Sequence, residues 1–161
     1  MVACGVISIE EAYEAIDFDT ITLLLGMMIV VANLRISGFF RLVNSWAVTK
    51  AHHPLVMLGA LVATTGALSA FLVNDAICLV MAPVTIELTR TLGRRPVPYL
   101  IAVALASNIG STATITGNPQ NMIIGNLSHI SYGMFAAALA PVAGIGLALT
   151  ILLVALFNRR E

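Results

Sequence analysis

The chain has 161 residues, of which 59% are hydrophobic and 10% are charged, and its mean hydropathy is +0.97. Roughly 25% of the residues in an average soluble domain are charged, so this composition excludes an ordinary soluble protein and indicates an integral membrane protein. Eight basic residues balance eight acidic ones, which leaves no polycationic surface for binding nucleic acid.

The first apolar segment covers residues 16–40. A spanning helix needs about 20 apolar residues, and this segment reaches that length only when the flanks of its apolar centre contribute. Apolar residues also recur at helical spacing between Ile9 and Ile16, in the acidic stretch that precedes the segment. We therefore predict a short interfacial helix followed by a first span.

The link over residues 37–54 combines aromatic and basic side chains, among them Trp46 and Arg41. Tryptophan and basic residues are enriched at the membrane–water interface. We predict that this link lies along the cytoplasmic surface of the membrane.

Residues 55–92 are largely apolar, with Asn74 and Asp75 near their midpoint. Two complete spans joined by a two-residue turn fit this length, and so does a re-entrant hairpin whose tip stops inside the membrane. Carboxylates inside a membrane are rare and usually face a protein interior or an aqueous cavity. The position of Asp75 therefore favours the re-entrant hairpin.

The apolar segment over residues 99–126 is interrupted by a polar stretch, residues 107–121, that contains two glycines and a proline. A helix at bilayer depth must satisfy its own backbone, so a broken helix persists only where it is buried in protein or lines a polar cavity. Gly110 and Gly117 would allow the backbone angles that such a break needs. We predict a discontinuous helix here and a plain span over residues 134–157.

The predicted fold is therefore an all-α membrane protein, a single transmembrane domain over residues 1–161 that contains one re-entrant hairpin and one discontinuous helix. Acidic residues precede the first span, whereas basic residues follow the first span, the hairpin and the last span. By the positive-inside rule, the amino terminus lies outside and the carboxy terminus lies in the cytoplasm. We expect a multi-pass protein of the plasma (inner) membrane.

Polar residues at the predicted hairpin tip and in the break could together form one binding site. Their hydroxyls and amides offer donors to an oxyanion and oxygen ligands to a hard cation. The amino termini of half-helices favour anions, and unwound carbonyls favour sodium ions or protons. The candidate binding residues are Ser69, Asn74, Asp75, Ser107, Asn108, Gly110, Thr112, Thr114, Gly117, Asn118 and Asn121.

A structural interpretation competes with this one. A single Ser or Thr commonly bonds back to its own helix, and Asn118 followed by Pro119 could mark a kink. So many polar groups at one depth are nevertheless expensive unless they serve a purpose, which favours a site for the cluster as a whole. Glu87 lies three residues before Arg90, where an interfacial ion pair is the simpler interpretation.

The sequence contains no arrangement typical of an enzyme or of a metal site. It has no nucleophile with a partnered base, no P-loop and no His-Glu-x-x-His motif. None of the three histidines has a Cys, Asp or Glu at metal-ligand spacing. We therefore expect no catalytic residue, no metal site and no organic cofactor.

Three stretches of the sequence, residues 16–28, 67–83 and 106–121, resemble the ion transporter superfamily. This superfamily includes citrate and divalent-anion sodium symporters, membrane subunits of arsenite pumps, and sodium/proton antiporters of related fold. The resemblance covers residues 16–158, which look like one inverted repeat, the amino-terminal one, of a two-repeat transporter.

The resemblance implies that the ion and substrate sites lie between the tip of the hairpin and the broken helix. The symporters carry Ser-Asn-Thr where this chain has Val73-Asn74-Asp75. The Asn-Asp pair looks more like the arsenite-pump and anion-transporter branches, and the Gly-Asn-Pro-Gln-Asn motif looks most like the anion-transporter branch. Asp75 would suit coupling to a proton or a sodium ion, because a carboxylate can become neutral when it is desolvated.

These observations lead us to expect secondary active transport of an inorganic or carboxylate anion, by a chain that is one repeat or fragment of a two-repeat transporter. The alternatives are sodium/proton antiport or arsenite efflux, and a structural or assembly subunit that transports nothing itself. The expected partners are the lipid bilayer, a small anion, and a second repeat or a second copy of the chain.

Overall fold

The computed structural model describes residues 18–39 and 53–158, together with the single residues 8, 10, 13 and 16. The predicted interfacial helix before the first span and most of the predicted interfacial link fall outside the described residues.

The helices whose bounds lie within the described residues are α1 (Phe18–Ile36), α2 (Pro54–Phe71), α3 (Asn74–Thr91), α4 (Pro96–Ser111), α5 (Pro119–Ser128) and α6 (Tyr132–Phe157), with one 3₁₀ turn at Ile115–Gly117. No β-strand occurs in the described part of the chain. Three of the helices, α1, α2 and α6, are long and apolar enough to cross a membrane, and α4 is a shorter apolar helix. The prediction of an all-α membrane protein is therefore confirmed.

The ends of the helices follow from local sequence. α2, α4 and α5 each begin at a proline. Proline lacks a backbone N–H, and at the first position of a helix this costs no hydrogen bond, because that N–H has no partner within the helix. α3 ends in a Schellman motif, in which Gly93 adopts a φ of 66° and Arg94 N donates to Thr89 O at 2.8 Å. This turn reverses the chain within a few residues and leads directly into α4.

α4 is the central helix, since it packs against α2, α3 and α6. The two backbones α4 and α2 lie against each other at Gly110 and Gly66, where a Cβ on Gly110 would lie 2.5 Å from the Cα of Gly66. α6 approaches α4 in the same way, because a Cβ on Gly146 would lie 2.7 Å from Cγ2 of Ile109. Small residues at such positions let membrane helices approach closely.

The hairpin consists of α2 and α3, which are joined only by Leu72 and Val73, both buried. Each helix has 18 residues, about 27 Å in length. The tip of the hairpin packs on the carboxyl end of α4. Its re-entrant placement in a membrane stays a prediction.

The break in the following segment is shorter than the polar stretch that predicts it. α4 remains helical through Ser111, so that Ser107, Asn108 and Gly110 lie on its last turns. The helix then ends, Thr114 and Asn118 adopt extended backbone angles on either side of the 3₁₀ turn, and α5 begins at the next residue. The polar side chains are accommodated in the last turns of α4 because they bond back to its own carbonyls, as Ser111 Oγ does to Asn108 O at 2.8 Å.

Candidate functional site

Two buried serines join the hairpin to α4. Ser69 Oγ on α2 donates to the carbonyl oxygen of Ser107 at 2.6 Å, and Ser107 Oγ on α4 donates to the carbonyl oxygen of Asn74, the first residue of α3, at 2.8 Å. Both side chains are fully buried. Three helices are thus held together at the tip by two hydroxyls, which places Ser69 and Ser107 in the scaffold of the candidate site.

A second contact between hairpin and α4 lies nearer the surface. Asn74 Nδ2 donates to Asn108 Oδ1 at 3.1 Å, and Asn108 Nδ2 donates to Ala104 O at 3.0 Å. Asn108 is exposed and Asn74 is partly exposed. The oxygen of the Asn74 side chain meets no donor in the described part of the chain and can still accept a hydrogen bond.

Asp75 lies exposed in the first turn of α3. No hydrogen bond or ion pair joins its carboxylate to another described residue. The residue before the helix, Val73, has no side chain that could cap it, so the first amides of α3 keep their partial positive charge at this end. A carboxylate and a set of unpaired amide donors are therefore adjacent at the tip.

The carbonyls at the end of α4 are occupied by side chains from α5. Asn121 Nδ2 donates to Ser111 O at 3.2 Å and to Thr114 O at 2.8 Å. Asn118 Nδ2 lies 3.2 Å from Ser111 Oγ, and its Oδ1 accepts from Asn121 N at 2.9 Å. The sequence suggests that unwound carbonyls in the break are ligands for a cation. In the structure, the carbonyl oxygens of Ser111 and Thr114 accept hydrogen bonds from the side chain of Asn121 instead.

The remaining predicted residues of the break divide between scaffold and surface. Thr114 is buried, and its hydroxyl donates to Ala70 O on α2. Thr112 is exposed, one helical turn beyond Asn108, and its hydroxyl bonds to Ile109 O at 2.7 Å. We call four described residues at the tip and the end of α4 the polar face, of which Asn74 is partly exposed and the others are exposed: Asn74, Asp75, Asn108 and Thr112.

The two glycines of the break serve packing. The glycines with positive φ in the described part of the chain are Gly38 and Gly93, so Gly110 and Gly117 do not use the special angles expected from the sequence. A Cβ on Gly117 would lie 2.7 Å from the carbonyl carbon of Ser111. Both positions need glycine because another backbone lies against them.

Sequence reasoning missed one connection of the break to α6. Thr116 Oγ1 lies 3.2 Å from the hydroxyl of Tyr132, at the first turn of α6, and 3.3 Å from Thr114 Oγ1. The only signal in the sequence is a tyrosine just after a polar loop, which is also typical of a membrane interface. The expected ion pair between Glu87 and Arg90 is not formed among the described residues, although both side chains are exposed.

Comparison with known proteins extends these observations. The chain is 37% identical over 164 residues to a 46 kDa membrane protein of Mycobacterium leprae, which covers 99% of this chain and 38% of the relative. It is 39% identical over 140 residues to the inner membrane protein YbiR of Escherichia coli K12, covering 86% and 37%. It is 33% identical over 155 residues to the silicon efflux transporter LSI3 of Oryza sativa subsp. japonica, covering 95% and 32%.

The chain spans about a third of the length of the curated relatives that it matches first, 34% for the transporters of Mycobacterium tuberculosis. No solved structure matches it. The sequence profile of the family described as citrate transporter matches residues 1–161, which confirms the resemblance to the ion transporter superfamily. The chain therefore belongs to the citrate transporter family.

Proposed function

We propose that this chain supplies one wall of the ion and substrate pathway of a secondary transporter for an inorganic or carboxylate anion. The observation that carries the proposal is the polar face, in which the hairpin tip and the end of α4 meet through the bond between Asn74 and Asn108. Polar groups at bilayer depth are expensive unless they face protein or an aqueous cavity. The family points to transport rather than to catalysis.

The depth of the hairpin tip supports this proposal. A cavity of about 620 Å³ lies between α1 and α3, and it is lined by α1 from Met28 to Ile36 and by α3 from Ala76 to Val80. The first turns of α3 therefore lie beside the carboxyl-terminal half of α1. α1 also contacts α5. If α1 crosses the membrane, with its amino terminus outside, the tip stops part of the way across.

The charges at the hairpin tip, on the amides of α3 and the carboxylate of Asp75, favour coupled transport of an anion and a cation. The uncapped amides of α3 and the side-chain donors of the polar face favour an anion. The carboxylate of Asp75 repels that anion while it is ionised and unpaired. Binding of a proton or a sodium ion at Asp75 would remove this repulsion, so that the cation and the anion would bind together.

The side of the site that faces the polar face is supplied by residues outside this chain or by a second copy of it. Asp75, Asn108 and Thr112 of the polar face are exposed in the described part of the chain, and the relatives are about three times as long. We propose that a second repeat, or a second copy of the chain, covers the polar face in the plasma (inner) membrane. The lipid bilayer covers the large apolar side chains that α1 and α6 expose.

Uptake into proteoliposomes tests the proposal. The chain, assembled with its second repeat or second copy, is reconstituted, and uptake of citrate and of inorganic oxyanions is measured while the sodium and proton gradients are varied separately. We expect accumulation of an anion that depends on one of the two cation gradients. Absence of uptake for every anion under both gradients would contradict the proposal.

Sodium/proton antiport is the second candidate, because the unpaired carboxylate of Asp75 could exchange the two cations without an anion. The same vesicles distinguish it, since antiport would give sodium movement driven by a pH gradient with no added anion. Arsenite efflux would appear as gradient-driven movement of arsenite alone. A structural or assembly subunit would bind its partner and leave every flux unchanged.

A further inference from the structure

A groove lies at the end of the helix bundle that is remote from the hairpin tip. Its volume is about 380 Å³, within the range of about 300–1,000 Å³ that is usual for small-molecule sites. It forms where the first turns of α2 and α4 meet the last turns of α6. Its lining residues are Pro54, Leu55, Leu58, Pro98, Tyr99, Leu152, Val154, Ala155, Leu156 and Asn158.

The body of the groove is apolar and open to the side of the bundle. Leu55 is 52% exposed, Leu152 is 53% exposed and Leu156 is 42% exposed. Because α2 begins at the groove and ends at the hairpin tip, the groove lies about 27 Å from the polar face. The groove is therefore separate from the proposed transport site.

One end of the groove carries positive charge. Tyr99 lines the groove, and its hydroxyl accepts a hydrogen bond from Arg94 Nη1 at 3.3 Å. Arg95 is the next residue and is exposed. A guanidinium has five N–H donors in a geometry that suits phosphate. An apolar slot with arginines at one end matches the two parts of a phospholipid.

We propose that this groove is a binding site for an anionic phospholipid. One acyl chain lies in the slot between α2 and α6, and the headgroup phosphate lies at Arg94 and Arg95. The positions of the groove and of these arginines at helix ends agree with the depth of a headgroup layer. Basic pockets between transmembrane helices commonly bind the headgroups of anionic lipids.

Lipid titration of the full purified protein tests this proposal. The protein is delipidated in detergent and titrated with phosphatidylglycerol or phosphatidylcholine, and bound lipid is counted by native mass spectrometry while the melting temperature is followed. We expect phosphatidylglycerol to bind with defined stoichiometry and to raise the melting temperature with concentration. Phosphatidylcholine should bind at least about tenfold more weakly, because it carries no net charge.

Two groups of variants separate the headgroup from the acyl chain. The double variant Arg94→Gln/Arg95→Gln should weaken binding of phosphatidylglycerol about tenfold or more, whereas the matched control Arg35→Gln, at the end of α1, should not.

Ala155→Trp should fill the slot and reduce lipid binding, and Ala148→Trp, on the exposed side of α6, should not. Leu55→Asn at the exposed rim gives an independent disturbance of the slot if Ala155→Trp fails to fold.

Three results would each reject a different part of the proposal. Equal binding of the two lipids, or unchanged binding in the double arginine variant, would reject an anionic phospholipid. Loss of binding in the arginine variant with full binding in both slot variants would reject the acyl chain in the groove. Occupation of the groove by the preceding link or by another part of the transporter would appear as lipid binding that no variant changes.

Discussion

The side chain of Asn121 holds the broken segment together. Its amide nitrogen donates to carbonyl oxygens of Ser111, Thr112 and Thr114 at 3.2, 3.4 and 2.8 Å. Two of these residues, Ser111 and Thr114, are buried, where a carbonyl without a donor is costly. The amides of Asn121 and Asn118 therefore both donate to Ser111 O at the end of α4.

We expect Asn121→Ala to lower the free energy of unfolding by about 0.5–1.5 kcal/mol, because it removes the shortest hydrogen bond to Thr114 O and leaves Ser111 O to Asn118 Nδ2 alone. The neighbouring exposed residue provides the control, and Gln120→Ala should change stability by less than about 0.5 kcal/mol. Denaturant or thermal unfolding in detergent measures both. Equal stability of the two variants would mean that Asn121 has no role in closing the break.

The roles of these residues could be predicted only in part. The pattern of Ser, Asn, Gly and Pro predicts that a break exists, because these residue types interrupt helices. It does not predict which carbonyl each amide reaches, since that depends on how α5 folds back on the end of α4. Asn118 and Asn121, which resemble free ligands in the sequence, are for this reason bound to backbone in the structure.

At the scale of helices, the approach of α2 to α4 depends on two glycines. Gly110→Ala should destabilise the protein by about 1–3 kcal/mol, the usual cost of overpacking, because the new Cβ would meet the Cα of Gly66 at 2.5 Å. Gly144→Ala on α6 is a matched control with open space around its Cβ, and it should be neutral or stabilising. Melting temperatures of both variants in detergent decide the point. A Gly110→Ala protein as stable as Gly144→Ala would show that this contact is looser than described.

The hairpin makes a second prediction at this scale. A cysteine at Asn74, with Cys4 and Cys78 replaced, should react slowly with an impermeant thiol reagent added outside, because a re-entrant tip stops below the outer surface. A cysteine at Ser131, which is exposed before α6, provides the control for a loop that should be reached quickly. Labelling of both positions at the same rate from outside would favour two complete spans.

Hydropathy and charge predict most of the elements, but not their depth. Apolar length and proline positions place α2, α3 and α6 within a few residues of their observed bounds. The register of α3 against α1, which sets how far the tip reaches, depends on tertiary packing that a hydropathy pattern does not contain. The same limit applies to the serine bonds at the tip, where Ser69 and Ser107 are separated by 38 residues.

At the scale of the whole molecule, the described residues form a packed bundle with a polar face at one end of the hairpin and an apolar groove at the other, where Arg94 bonds to the lining residue Tyr99. The buried hydroxyls of Ser69 and Ser107 connect the three helices behind the polar face. This scaffold keeps Asn74, Asp75 and Asn108 at the surface, where a second repeat or a second copy can enclose a ligand.

The central claim is that Asp75 couples a cation to movement of the anion. It is tested most directly by measuring anion uptake against pH and sodium in the assembled transporter, for the parent protein, Asp75→Asn and Glu87→Gln. Both carboxylates are exposed on α3, three turns apart, and Glu87 lies outside the polar face. We predict that Asp75→Asn abolishes the dependence on the coupling cation while Glu87→Gln retains it. Unchanged coupling in Asp75→Asn would contradict the account.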